Sequence, residues 1–115
     1  MSKLVSSFLF GPFLLILGLI MKIYPPKKPN NFYGYRTSRS MKSKVAWRFA
    51  NSLSSNIFII AGILLCLISY LSWHYDEEDF VIINLIGLLL SIGSTVYFTE
   101  KALKKNFDDE GKPRL

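Results

Sequence analysis

Three apolar runs without a single charge dictate what this chain can fold into. Residues 4–21, 57–73 and 80–98 contain no Asp, Glu, Lys, Arg or His. Each is 17–19 residues long, which as a helix rises roughly 25–29 Å, close to the ~30 Å hydrocarbon core of a bilayer. Inside that core no water satisfies backbone N–H and C=O groups, so the runs are expected to be helices. A soluble bundle would need a polar stripe along each helix, and these runs have none. The composition agrees: 50% of the 115 residues are hydrophobic and the mean hydropathy is +0.29. The sequence therefore predicts an all-α membrane protein with three transmembrane helices, organised as one integral membrane domain over 1–115. The first run also fits a signal peptide with Lys3 as its basic start. Its length, and the absence of a small-x-small cleavage site before Lys22, favour a retained helix.

The charges give an orientation. Of 14 Lys and Arg residues, only Lys3 precedes the first run. Lys22, Lys27, Lys28, Arg36, Arg39, Lys42, Lys44 and Arg48 lie between the first and second, and Lys101, Lys104, Lys105, Lys112 and Arg114 follow the third. The turn between the second and third carries Asp76, Glu77, Glu78 and Asp79 and no cation. Short basic loops stay cytoplasmic. The expectation is a multi-pass cell-membrane protein with its N-terminus outside, its 22–56 loop and C-terminus cytoplasmic, and its acidic turn outside beside Ser2 and Lys3. Trp73 and Tyr75 would mark the outer interface, and Tyr24, Tyr97 and Phe98 the inner one. The net charge of +6 then reports topology and attraction to anionic lipid, with no need for nucleic acid.

Small residues recur at helical spacing in every run: Gly11 and Gly18; Gly62, Cys66 and Ser69; Gly87, Ser91, Ser94 and Thr95. They predict close helix packing, and they also permit a homo-oligomer. Asn84 is the one amide well inside a run and suits an interhelical hydrogen bond. Pro12 either kinks the first helix or sits near its start. Cys66 reads as a small packing residue.

The 22–56 loop carries most of the specificity. Pro25, Pro26 and Pro29 stop a helix and continue the chain extended. Gly34, between Tyr33 and Tyr35, suggests a tight turn. Ser40 would cap a helix over about 41–53, with Met41, Val45, Phe49 and Leu53 as an apolar stripe widened by Ala46 and Ala50, and Trp47 and Asn51 on the polar flank. That helix either lies in the cytoplasmic interface as an amphipathic segment or leads straight into the second span. Arg36 and Arg39 carry forked donors suited to phosphate or carboxylate. The binding candidates for a headgroup or a partner are thus Tyr33, Gly34, Tyr35, Arg36, Thr37, Arg39, Trp47 and Asn51, with Asn84 as an intramembrane polar group.

This loop resembles the signature of the SdpI family of bacterial multi-pass membrane proteins. The match is Gly34, Tyr35, Arg36 and Thr37, preceded by Asn30, Asn31 and Phe32 and followed by Trp47, Ala50 and Asn51. It extends over about residues 11–100. The resemblance implies a role in immunity to a secreted, membrane-active peptide toxin, or in signalling through a cytoplasmic regulatory protein held at the membrane. An accessory subunit of a transporter or other membrane complex is the alternative. An enzyme is not expected. His74 is the only histidine, its acidic neighbours are almost contiguous, and no Gly-rich phosphate loop or paired nucleophile is visible. Neither a metal nor a cofactor is implied.

Overall fold

A computed structural model describes residues 3–30 and 32–114. Ser2 and Asn31 of the stretches discussed above lie outside the described residues. Three helical segments are long and apolar enough to cross a membrane: Lys3–Ile23, Lys44–Leu71 and Glu77–Asn106. The described residues contain no strand beyond one isolated bridge between Phe107 and Pro113. The molecule is a rod of 51 × 24 × 19 Å.

The first segment is two helices, α1 (Lys3–Phe8) and α2 (Gly11–Ile23). The break at Leu9 and Phe10 follows from Pro12, at the second position of α2. It has no N–H to offer, and its ring would collide with the carbonyl of Phe8 in a continuous helix. α3 (Lys44–Leu71) and α4 (Glu77–Asn106) are unbroken. At 28 and 30 residues they would rise about 42–45 Å, well beyond the ~30 Å core, so turns project from the bilayer.

α1 and α2 run antiparallel to α3 in a constant register. The Lys3 ammonium donates to the Trp73 carbonyl at 2.7 Å, Gly11 faces Cys66, Gly62 faces Leu15, and Gly18 faces Ile59. The Lys22 ammonium closes the series on Asn56 Oδ1 at 2.8 Å. A Cβ added to Gly11 or Gly62 would stand 2.6 Å from the facing backbone nitrogen. The glycines therefore set how closely the two backbones approach. α4 crosses to α3 through Asn84, which is fully buried. Its Oδ1 accepts from Ser69 Oγ at 2.6 Å, and its amide nitrogen donates to Ser72 Oγ at 3.3 Å and to the Phe80 carbonyl at 2.8 Å.

The two ends of the rod have opposite character. At one end Asp76 caps α4 by accepting from the Asp79 N–H at 2.8 Å, and Glu77, Glu78 and Asp79 fill the first turn. Negative charge there complements the helix dipole, as Lys104 and Lys105 do in the last turn. At the other end gather the long loop, the start of α3 and the end of α4. The larger buried cluster also lies here, built on Met21, Tyr35, Ala46, Ala50, Leu103 and Phe107. A smaller one, Phe10, Leu14 and Leu65, holds the middle.

Of the two forms expected for the helix over 41–53, the structure shows the one that leads straight into the second span. No separate interfacial helix exists among the described residues: Met41 and Lys42 belong to a turn, and the helix begins at Lys44 and runs into the second span. Ser43 caps it, accepting from the Ala46 N–H at 3.0 Å. Ser40 is occupied within the loop, its hydroxyl lying 3.1 Å from the Tyr35 carbonyl and 3.0 Å from that of Thr37. The buried face keeps Ala46 and Ala50 of the expected apolar stripe but takes in Trp47 and Asn51 from the expected polar flank. Ala46, Trp47, Ala50, Asn51 and Ser54 are buried, whereas Val45 is 53% exposed. Small side chains here admit the loop, and the polar ones satisfy its backbone.

Candidate functional site

The described residues of 24–43, Asn31 aside, form a connection without regular secondary structure, unusually long for an ordered loop in a small domain. Its order comes from two side chains of the first turns of α3. The Trp47 indole N–H donates to the Pro26 carbonyl at 2.7 Å. Asn51 Oδ1 accepts from the Tyr35 N–H at 2.6 Å, while its amide nitrogen donates to the Trp47 carbonyl at 2.9 Å and reaches the Tyr35 carbonyl at 3.4 Å. Trp47 and Asn51 sit one helical turn apart, so a rigid helix face presents both. Both are almost wholly buried, and a buried backbone group without such a partner would be costly.

Gly34 lies under this contact with φ of 106°. A Cβ there would stand 2.5 Å from Asn51 Oδ1, 2.8 Å from Pro26 Cγ and 3.2 Å from Trp47 Cζ2. Glycine is required twice, by conformation and by space. Before it, Asn30 Oδ1 accepts from the N–H groups of Phe32 and Tyr33 at 2.9 and 2.8 Å, an Asx turn that starts the bend. The Tyr33 hydroxyl donates to the Tyr24 carbonyl at 2.7 Å and lies 3.1 Å from that of Ile20. It thereby covers the open end of α2.

The loop is tied to α4 by a carboxylate that the sequence reading passed over. Glu100 Oε2 accepts from the Tyr35 hydroxyl at 2.7 Å and from Thr37 Oγ1 at 2.9 Å. Its signal was present: one acid just past the third apolar run, ahead of Lys101, Lys104 and Lys105. Burial, and then the hydrogen bond and negative charge of Glu100, push the Tyr35 phenol above its ordinary value. Burial likewise raises Tyr33. The tail completes the end. Ser43 Oγ donates to the Gly111 carbonyl at 2.6 Å, and Arg39 lies 3.5 Å from Asp109. Asp108 Oδ1 accepts from the Lys112 and Glu110 N–H groups, both at 2.9 Å, and these bonds, Lys112's first, hold its carboxyl below its ordinary value.

The candidates thus separate into two kinds. Tyr33, Gly34, Tyr35, Thr37, Trp47 and Asn51 build the loop and present few free polar atoms. Arg36 is exposed and makes no hydrogen bond or ion pair among the described residues. Arg36 and Arg39 do not converge: Arg36 lines a cleft with Leu17, Phe58 and Val96, and Arg39 a neighbouring recess with Glu100, Lys101 and Lys104. Asn84 lies toward the opposite end, engaged between helices. Among the described residues no group of three His, Cys, Asp or Glu side chains is placed to hold a metal ion. His74 stacks on Tyr75 at 4.3 Å in an exposed turn.

A profile of the SdpI/YfhL protein family matches residues 27–98, from the loop through the third span. The chain belongs to this family. It is 34% identical over 104 residues to the uncharacterized protein YfhL of Bacillus subtilis (strain 168), covering 90% of this chain and 91% of that one. It is 23% identical over 91 residues to the immunity protein SdpI of the same organism, covering 79% of this chain and 42% of SdpI. The chain therefore spans less than half of SdpI's length. No solved structure matches it. Membership in the SdpI/YfhL family and three membrane-length helices together make this an integral membrane protein.

Proposed function

We propose that this SdpI/YfhL-family protein is a non-enzymatic membrane protein that protects its cell against a membrane-active peptide toxin, with the loop-bearing end in the cytoplasm. The observation that carries the reading is the loop itself. The family signature is folded into a platform by Trp47, Asn51 and Glu100, and a relative 23% identical over 91 residues is named an immunity protein. Thirteen of 14 basic residues flank that platform in sequence, and the positive-inside rule supports its cytoplasmic placement. A regulatory protein or an anionic headgroup would meet Arg36 and Arg39 there. The toxin would act from the acidic side or within the bilayer.

A groove between α3 and α4 favours a second reading, an accessory subunit of a larger membrane complex. Ala61, Gly87, Ser91 and Ser94 line its ≈ 320 Å³, and small residues let a partner helix approach. Deletion and overexpression in the source cell, followed by challenge with secreted membrane-active peptides, test the first reading. Overexpression should raise survival and deletion lower it. Equal survival in both strains, with a stoichiometric membrane partner on purification, would favour the second.

A further inference from the structure

α2 and α4 flank α3 and barely touch each other, whereas α1 does reach α4. The break at Leu9 and Phe10 thus separates a closed acidic end from an open basic one. In the opening lies a cleft of ≈ 270 Å³, floored by Leu17 and Met21 of α2, Phe58 of α3 and Val96 of α4, and roofed by residues 33–37. The roof's hydroxyls are already committed: Tyr33 to the end of α2, Tyr35 and Thr37 to Glu100. Arg36 is the only charged side chain of the lining, and it has no partner among the described residues. The recess next door shares Val96 and holds Arg39, Lys101 and Lys104 around Glu100. The field at the cleft mouth is therefore positive.

An apolar floor with one uncommitted guanidinium on its lip is complementary to a molecule with one anionic head and one apolar tail. We infer that the cleft binds a phosphate-headed lipid, with the phosphate on the forked Arg36 donors and one acyl chain against Leu17, Met21, Phe58 and Val96. A peptide ligand would need backbone donors and acceptors along the cleft, and the roof offers few free ones. The surrounding cations draw anionic lipid in without choosing it; Arg36 supplies the point contact. This inference does not depend on a role in immunity.

The test uses the full chain in detergent, measured by native mass spectrometry with added phosphatidylglycerol, phosphatidylcholine or inorganic phosphate. Phosphatidylglycerol should be retained at one copy per chain, and Arg36→Gln should weaken it about tenfold or more, the loss of a charge-assisted contact. Lys28→Gln, removing an exposed charge from the same loop, should weaken it less than about fivefold. A photoreactive group in the lipid's acyl chain should label Leu17, Met21, Phe58 or Val96. Equal effects of the two variants, or labelling spread along the outer faces of the helices, would reduce the cations to general attraction and overturn the site. Inorganic phosphate displacing the lipid at comparable concentration would make it a simple anion site and overturn the lipid assignment. Arg36 is exposed, so Arg36→Gln should melt with the parent; binding that survives in it contradicts the inference.

Discussion

Single residues at the basic end each hold more than one contact, so their substitution effects can be anticipated. Gly34→Ala should destabilise the folded chain by about 1–3 kcal/mol, from its positive φ and the crowding by Asn51 and Pro26. Limited proteolysis between residues 24 and 43 would report it as faster cleavage. Trp47→Phe keeps a ring in the site but leaves the Pro26 carbonyl without its donor, a loss of about 1–3 kcal/mol by thermal melting in detergent. Tyr35 gives a pH dependence. Its phenol is held protonated above the ordinary value near 10.0, so folding favours the protonated form. That contribution is complete below pH 10 and declines as pH climbs from there toward the raised folded value. Ultraviolet titration should find a late-ionising tyrosine that disappears in Tyr35→Phe. A parent whose alkaline titration matches Tyr35→Phe apart from one ordinary tyrosine would show that Tyr35 is not buried against Glu100.

Among the elements, what the sequence disclosed and what it concealed follow from different physics. The three spans were legible because a bilayer demands uncharged runs of fixed length, whatever they pack against. Their loop-side ends were not, because α3 starts as early as Lys44 and α4 runs on to Asn106 through polar residues, beside a contact of Ser43 with Gly111. The helix over 41–53 was read from an apolar stripe that ought to face lipid. Trp47 and Asn51, expected on the polar flank, bind the loop instead, and nothing in local periodicity announces a loop that folds back. The signature residues were legible as a motif, but their division into builders and an exposed Arg36 needed coordinates. Glycines show the same contrast. A Cβ at Gly62 would meet the Leu15 backbone at 2.6 Å, while at Gly93 it meets nothing within 4 Å. Gly62→Ala should therefore lower stability by about 1–3 kcal/mol through forced separation of α2 and α3. Gly93→Ala should be neutral or slightly stabilising. Denaturant titration in mixed micelles would rank them, and the reverse order would contradict the packing.

At the scale of the whole molecule, one end is a short acidic turn and the other a folded basic platform, joined by helices whose outer faces are apolar. A reporter fused into 74–79 should appear outside the cell and one fused after 114 inside; the opposite labelling would invert the proposed orientation. The platform is held by the larger buried cluster, so a working part placed there would depend on its remaining docked. The most direct measurement is survival under peptide-toxin challenge of gene-deleted cells carrying no copy, the parent chain or Trp47→Ala, with membrane levels of the two chains matched. Protection by the parent, lost in Trp47→Ala, is the predicted result. Survival with the parent equal to that with no copy, or full protection by Trp47→Ala, would contradict it.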